Sequence, residues 1–206
     1  MATRTKRETY HHGELGPALR EAARAILEEE GLAALSLRSV ARRAGVSHAA
    51  PYRHYKSLEA LLADVATAGF VELRAQLKHA GASPGQAASS SEAVGHQKNA
   101  DRIARIGAAY VRFAAQHGGL LRLMFGSELA NRGEFAALQA AADGIGEEIG
   151  AALGDPALGL AVWAAAHGLA MLTLENVIDL GQRAAGLNVL PSRAEILLRS
   201  LFAERE

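Results

Sequence analysis

The sequence predicts an all-α protein in which a small three-helix head precedes a larger helical domain. Apolar residues recur at helical spacing along most of the chain, and no segment alternates as a half-buried strand does. Glycine, proline and small hydroxyl residues fall between these periodic segments, where helices begin and end. Half of the 206 residues are hydrophobic, so the chain can bury a sizeable core.

The first helix is predicted from an apolar stripe that ends at Gly31. The stripe consists of Leu15, Leu19, Ala22, Ala23, Ile26 and Leu27. A short apolar bridge then leads into residues 36–56, which read SLRSVARRAGVSHAAPYRHYK. This run is the most informative part of the chain.

Residues 36–56 open with the pattern of a short helix. Ser36 stands where an N-cap belongs, just before a set of apolar residues that share one helical face. That set is Leu37, Val40, Ala41 and Ala44. Arg38, Arg42 and Arg43 lie off this face and are expected in solvent.

A sharp turn and a second short helix are predicted next. Gly45 supplies the positive φ that such a turn needs, and Val46 would pin the turn to the core. Ser47 is a second N-cap, so the second helix is expected over residues 48–54, closed by the ring of Tyr55. This size and order are typical of a helix-turn-helix.

Positive charge concentrates in the same stretch. Residues 36–56 hold five Lys or Arg and no Asp or Glu, whereas the whole chain balances 22 basic against 22 acidic residues. Arg4, Lys6 and Arg7 add a basic arm in front. The charge and the turn together favour DNA binding over an ordinary helical hairpin with solvated arginines.

Residues 10–65 resemble the DNA-binding head of the TetR family of transcriptional repressors. The run VSHAAPYRHYKSLEALL looks like the family's second helix of the motif and the start of its fourth helix. The matching residues are Leu19, Ala22, Ala23, Gly31, Ser36, Leu37, Val40, Ala41, Ala44, Gly45, Val46, Ser47, Tyr52, Arg53, His54, Tyr55, Lys56, Glu59, Leu61 and Leu62.

The resemblance implies a role for each exposed residue of the motif. His48 and Ala49 would face base edges, and Ala49 could meet a thymine methyl group. Most of the others would bind phosphate, and Arg53 could do either. The expected DNA contacts are Ser36, Arg38, Ser47, His48, Ala49, Tyr52, Arg53, His54 and Lys56. Tyr55 is expected in the core, and a solvated side chain is the alternative for His54.

Two departures from the family pattern lie inside the motif. The family usually has Thr-Leu where this chain has Ala50 and Pro51, and often Lys where it has Leu58. Pro51 lacks an N–H, a loss that costs least in or near the first turn of a helix. The base contacts of the family therefore do not transfer intact.

Helical patterns continue to the end of the chain. We assign residues 1–56 to the arm and the DNA-binding head, 57–80 to a connecting helix, 81–100 to a flexible loop and 101–206 to a second helical domain. The helices of that domain are expected over residues 101–116, 120–129, 134–153, 156–180 and 192–204.

Three local signals set the boundaries in this half. Gly146, Gly150 and Gly154 recur every four residues, a spacing that lets two helices approach closely, although it is also that of a weak helix. Asp155 followed by Pro is a strong helix start. The S-x-x-E pattern of residues 192–195 fits a capping box.

The family resemblance implies that residues 101–206 bind a small effector. It also implies that the last two helices, here 156–180 and 192–204, pair with a second subunit in a four-helix interface. A homodimer would place two heads about one turn of DNA apart and read a pseudo-palindromic operator in double-stranded DNA.

The run VWAAAHGLAML resembles a tryptophan-histidine-glycine signature of one TetR subgroup. Trp163 and His167 stand four residues apart and share one helix face. They could line an effector pocket, or they could be a packed indole and a hydrogen-bonded histidine of the core. The candidate lining residues are Phe113, His117, Met124, Phe125, Trp163, His167 and Met171, and plain core packing is the alternative for each.

Other functional classes find little support in the sequence. The chain has no cysteine, and no nucleophile elbow, zinc-protease motif or phosphate-binding glycine loop is present. We therefore expect no catalytic residue, metal or cofactor. An all-α enzyme and an architectural DNA-binding protein without effector are the alternatives, and the second would hardly need so large a helical domain.

One segment is long and apolar enough to be weighed as a membrane span. Residues 156–174 contain no formal charge, and the length of this segment is close to the about 20 residues needed to cross a bilayer. They are rich in Ala and Gly and contain His167, so we interpret them as a buried or dimer-forming helix. With a polar N-terminus, the protein is expected in the cytoplasm without membrane contact.

Overall fold

The computed structural model describes residues 15–82, 92–129 and 131–202, and these residues form helices and turns but no strand. The all-α prediction is confirmed. The helices are α1 Leu15–Glu29, α2 Leu37–Arg43, α3 Leu58–Gly81, α4 Glu92–Gln116, α5 Gly118–Phe125, α6 Ala136–Leu153, α7 Pro156–Leu174, α8 Gln182–Ala185 and α9 Leu190–Phe202. Short 3₁₀ turns lie at Leu32–Ala34, Pro51–Arg53, Arg132–Glu134 and Leu187–Val189.

The chain divides into two compact units between Val65 and Ala66, so the boundary falls inside the predicted connecting helix α3. The basic arm at residues 4–7 lies outside the described residues. The loop predicted over residues 81–100 lies outside the described residues only over residues 83–91. Residues 92–100 are the first turns of α4 and not a loop, because Glu, Ala, Gln and Lys favour a helix despite one glycine.

The first unit packs α1 against α2 around a small apolar core. Its most buried side chains are Leu19, Ala23, Val40, Ala41 and Leu61, each with 0% of its surface exposed. Tyr55 is also buried, as expected, and its hydroxyl donates a 2.6 Å hydrogen bond to Asp64. Arg20 pairs with the same carboxylate at 3.3 Å, so Asp64 joins α1, α3 and the segment before α3.

The second unit brings α4 against α7 and α9, and α6 against α7. The predicted close approach at the glycine run is confirmed for Gly150. A Cβ on Gly159 of α7 would lie 2.5 Å from the Gly150 Cα. Gly154 ends α6 at a φ of 71°, and Asp155 caps α7 by accepting hydrogen bonds of 2.8 and 3.1 Å from two amides.

Several helix ends differ from prediction. The helix expected over residues 120–129 is α5 and ends at Phe125. The helix expected over residues 156–180 ends at Leu174, because Asn176 adopts a φ of 56° and the Val177 amide bonds back to the Leu172 carbonyl. The last helix begins at Leu190, two residues before the predicted cap.

The predicted capping box of the last helix is wrong. Ser192 and Glu195 lie inside α9, where the Glu195 carboxylate accepts a hydrogen bond of 3.2 Å from Arg199. Glu195 therefore belongs to an ion pair on the surface of the helix and not to a cap.

Among the described residues, α7 is the one helix long and apolar enough by composition to span a membrane, with a mean hydropathy of 1.7. One face of α7 packs on α4 and α6. Its opposite face carries Leu160 and Leu172, whose side chains are 58% and 43% exposed.

Candidate nucleic-acid interface and ligand pocket

The start of α2 is fixed by two serines. The Ser36 hydroxyl accepts a hydrogen bond of 3.0 Å from the Ser39 amide, and the Ser39 hydroxyl accepts one of 2.9 Å from the Ser36 amide. This reciprocal pair is a capping box, with Ser in place of the usual Glu at the third position. Ser39 was missed as a cap by the sequence analysis, although the Ser-x-x-Ser spacing carries the signal.

The turn after α2 has the geometry that Gly45 predicted. Gly45 has a φ of 68°, and its amide donates to the Arg42 carbonyl at 3.2 Å. The Val46 amide donates to the Ala41 carbonyl at 3.0 Å. These two bonds form a Schellman motif, which turns the chain sharply out of the helix.

The second helix of the motif is not the α-helix predicted over residues 48–54. Residues 48–50 form a turn, in which the Ala50 amide donates to the Ser47 carbonyl, and Pro51–Arg53 is a single 3₁₀ turn. Pro51 has no N–H to bond that carbonyl in an α-helical pattern, so the local bonds shorten to 3₁₀ spacing. Proline at the fourth position of the predicted helix therefore prevents a regular α-helix. The sequence had predicted that the missing N–H would be tolerated there.

All nine residues predicted to contact DNA are exposed. They are Ser36, Arg38, Ser47, His48, Ala49, Tyr52, Arg53, His54 and Lys56. Tyr52 is 65% exposed, a high value for a large aromatic side chain, whereas its neighbours Pro51 and Tyr55 are buried. Two buried anchors therefore hold an otherwise exposed segment against the first unit.

Most of the positive charge of this segment is uncompensated. Arg43 is the exception, since it pairs with Glu29 at 2.7 Å and Glu30 at 2.9 Å, contacts that raise the pKa of the guanidinium and lower the pKa of Glu29. Arg38 and Lys56 form no ion pair with another described residue. Charge thus remains available for phosphate in the segment that carries Tyr52.

In the second unit, three of the seven predicted ligand residues meet in one aromatic cluster. The ring of Phe125 lies 4.5 Å from that of His167 and 6.2 Å from that of Trp163 between centroids. Phe70 of α3 packs edge-on against Phe125 at 5.1 Å. Tyr110 of α4 completes this aromatic cluster through a 2.7 Å hydrogen bond to His167 Nδ1.

The other four predicted residues lie around the aromatic cluster or outside it. Phe113 and His117 pack edge-to-face at 5.0 Å between ring centroids, and Met124 is buried beneath α3 at Gly69. Met171 is half-buried on α7. Tyr110 and Phe70 were not predicted as members of this cluster, because helical spacing does not show which aromatic side chains of separate helices meet.

Burial sets the charge of the polar members of the cluster. It raises the pKa of Tyr110 and lowers the pKa of His167, so both are neutral at pH 7. The hydrogen bond between them then joins two neutral groups, with the donor fixed by the histidine tautomer. The buried Nε1 of Trp163 forms no hydrogen bond of good geometry with a described residue, although the indole lies near the Tyr110 hydroxyl and partly offsets the rise in its pKa.

An open groove of about 810 Å³ lies elsewhere in the second unit. Residues of α3, α4 and α9 line it, together with Ala82 just beyond α3, and none of the seven predicted ligand residues is among them. His117 comes near it, with its Nε2 at 3.6 Å from the lining residue Glu72. Within the described residues, no group of three His, Asp or Glu side chains could hold a metal ion.

The head has the architecture of helix-turn-helix regulators of transcription. Residues 19–65 match the family model of the bacterial regulatory proteins of the tetR family. Residues 103–187 match the model of the tetracyclin repressor-like C-terminal domain. The chain belongs to the TetR family of transcriptional regulators, and it is a DNA-binding regulator and not an enzyme.

Solved structures of similar proteins share this fold. A protein of unknown function from Rhodococcus sp. RHA1 is 30% identical over 96% of this chain and 100% of its own, with a TM-score of 0.62. A TetR-like transcriptional regulator from the same organism is 17% identical over 94% and 96%, with a TM-score of 0.62. The multidrug binding protein EbrR, complexed with imidazole, is 20% identical over 100% and 99%, with a TM-score of 0.61. No curated protein sequence is significantly similar to this chain.

Proposed function

We propose that this regulator is a dimeric repressor that leaves its operator when a small, largely apolar molecule binds the second unit. The observation that carries the DNA-binding half of the proposal is the exposure of all nine candidate contact residues beside uncompensated positive charge. Burial of Pro51 and Tyr55 orients the segment between them. The protein would act in the cytoplasm, where its DNA lies.

The candidate contacts divide into two kinds. Tyr52, His54 and Lys56 would bind phosphates, as would Ser36 and Arg38 at the start of α2, and such contacts position a protein without reading sequence. His48 and Ala49 lie in the turn that follows Ser47 and would meet base edges.

We expect a dimer because the short DNA-binding segment of a single head contacts too few base pairs to define an operator. Exposed apolar side chains on α7 and α9 are available for a second copy of the chain. They include Leu160, Leu172, Ile196, Leu197 and Leu201. A patch of this kind marks an interaction surface in a soluble protein.

For the effector we propose the aromatic cluster, with Phe113, His117, Met124 and Met171 around it. The unpartnered Trp163 Nε1 would donate to an acceptor on the ligand, and Phe125 would stack on its apolar body. The fold neighbour EbrR is described as a multidrug binding protein, and by analogy a small organic molecule is the expected class here. To release DNA, the ligand must bind the free form more tightly than the operator-bound form.

The test is a salt-controlled binding titration of the full chain on the DNA that flanks its own gene. The expected result is an affinity at least about a thousandfold above that for random duplex of equal length, as for other specific regulators. Equal affinity for both duplexes would reject sequence-specific regulation.

Repression is tested separately with a reporter gene behind the same DNA. Deleting the regulator should raise expression, and a fall in expression would identify an activator instead.

A further inference from the structure

The 810 Å³ groove is separate from the aromatic cluster and has a chemistry of its own. Its floor consists of alanines from two neighbouring helices, Ala75 and Ala80 on α3 and Ala108 and Ala109 on α4. Alanine leaves the space between the helices open and offers only apolar surface. The volume lies within the range of small-molecule sites, about 300–1,000 Å³.

Two arginines of α4 stand over this floor. Arg105 and Arg112 are seven residues apart, two helical turns, and therefore project from the same side of α4. The Arg105 Nε donates a 3.2 Å hydrogen bond to the Ala80 carbonyl, which fixes the guanidinium at the groove. Arg112 is exposed and forms no hydrogen bond or ion pair with another described residue.

The acidic side chains of the groove are already engaged. Glu195 accepts a hydrogen bond of 3.2 Å from Arg199. Glu72 accepts one of 3.4 Å from Gln76 and lies 3.6 Å from His117. Arg199 neutralises Glu195, so Arg105 and Arg112 against the carboxylate of Glu72 leave the groove with a net positive charge.

We propose that this groove binds an amphipathic anion, whose apolar body lies on the alanine floor and whose carboxylate pairs with Arg112, with Arg105 next to it. A guanidinium binds a carboxylate through two parallel charge-assisted hydrogen bonds, which makes arginine selective for this head group. The site is distinct from the aromatic cluster, so the proposal holds or fails independently of the effector site assigned above.

The experiment is calorimetric titration of the full chain, without DNA, with three probes that share a linear ten-carbon chain: decanoate, decanol and decyltrimethylammonium. We expect decanoate to bind at least about tenfold more tightly than decanol, because a charged hydrogen-bonded pair contributes more than a neutral one. The cationic probe should bind more weakly than decanol. Absence of decanoate binding, or equal binding of all three, would overturn the proposal.

Variants locate the binding. Arg112→Gln should weaken decanoate binding about tenfold and leave decanol unchanged, and the double variant with Arg105→Gln should remove the preference for decanoate. Lys78→Gln is the matched control, because it removes a positive charge from α3 outside the groove. Unchanged decanoate affinity in the double variant would overturn the assignment.

A steric variant gives an independent test. Ala75 is exposed, so Ala75→Trp should fold, fill the groove and abolish binding of decanoate and decanol together. Circular dichroism and binding to the flanking DNA verify that the variants are folded. Decanoate binding that survives Ala75→Trp in a folded protein would place the ligand elsewhere and refute the groove.

Discussion

At the scale of single residues, the DNA-binding segment alternates between buried anchors and exposed side chains. Pro51 and Tyr55 point into the first unit, and Tyr52, Arg53 and His54 between them face solvent. Substitutions at the exposed positions should therefore change DNA binding without unfolding the head, since surface substitutions cost within about 0.5 kcal/mol.

Lys56→Gln tests the phosphate role. It should weaken binding to all duplexes alike and reduce the slope of log affinity against log salt by about 1, because one fewer counterion is released.

His48→Ala should instead change the preference among operator variants, by about 1–3 kcal/mol at one base pair. Titrations over a salt series and a set of point-mutated operators measure both. If His48→Ala leaves the preference intact, the base contact is wrongly assigned.

His167 should make stability depend on pH. Burial lowers its pKa below the ordinary value of 6.5, so the unfolded chain takes up its proton first as pH falls. The contribution of neutral His167 to the free energy of unfolding is fully present above pH 6.5. It is lost as pH falls from there through the pKa of His167 in the folded protein. In urea unfolding from pH 8 to pH 5, His167→Gln should lose less stability than the wild type.

Tyr110→Phe is the control for this pH effect. Because burial is the cause of the lowered pKa of His167, the variant without the hydroxyl should keep the pH-dependent loss. A flat profile for Tyr110→Phe would show that the hydrogen bond and not burial controls the proton.

At the scale of elements, short-range hydrogen bonds decide where helices start and stop. The serine capping box, the Schellman turn at Gly45 and the Asp155 cap each close within a few residues. Pro51 acts at the same range and converts the expected α-helix into one 3₁₀ turn.

The crossing of α6 and α7 gives the prediction at this scale. Gly159→Ala would place a methyl group 2.5 Å from the backbone of Gly150 and should destabilise the protein by about 1–3 kcal/mol, as overpacking does. Gly168→Ala is the matched control on the same helix, where a Cβ meets nothing within 4 Å. It should stabilise by up to about 1 kcal/mol. Denaturant midpoints compare them, and equal values would mean that the crossing relaxes freely.

At the scale of the whole molecule, the exposed apolar side chains of α7 and α9 are best explained by a second subunit. Ile196→Glu would place a carboxylate where 63% of an isoleucine is exposed in the single chain. We expect it to shift the dimer toward monomer by at least about tenfold in dissociation constant, since burying an unpaired charge is costly.

Val71→Glu is the control for the interface, because Val71 is 59% exposed but lies on α3. Sedimentation equilibrium should find this variant as dimeric as the wild type. If Ile196→Glu remains dimeric, the interface lies outside α9; if both variants dissociate, the loss is not specific to α9 and the assignment fails.

The sequence by itself determined the all-α fold, the basic turn after α2 and the capped starts of α2 and α7. These features depend on periodicity, on caps and on residues such as Gly45 whose effect is local, so a linear reading suffices. It also named residues 36–56 as the DNA-binding segment, all of whose candidate contacts are exposed.

The tertiary structure alone decided which distant groups meet. Tyr110 and His167 are 57 residues apart, and no pattern in either helix joins them. Arg43 looks like its neighbouring arginines in the sequence, yet its charge is committed to two glutamates of α1. Arg105 and Arg112 face a groove only because α3 lies beside α4. Such pairings depend on packing between helices, and helical spacing fixes the face of a side chain but not the partner opposite it.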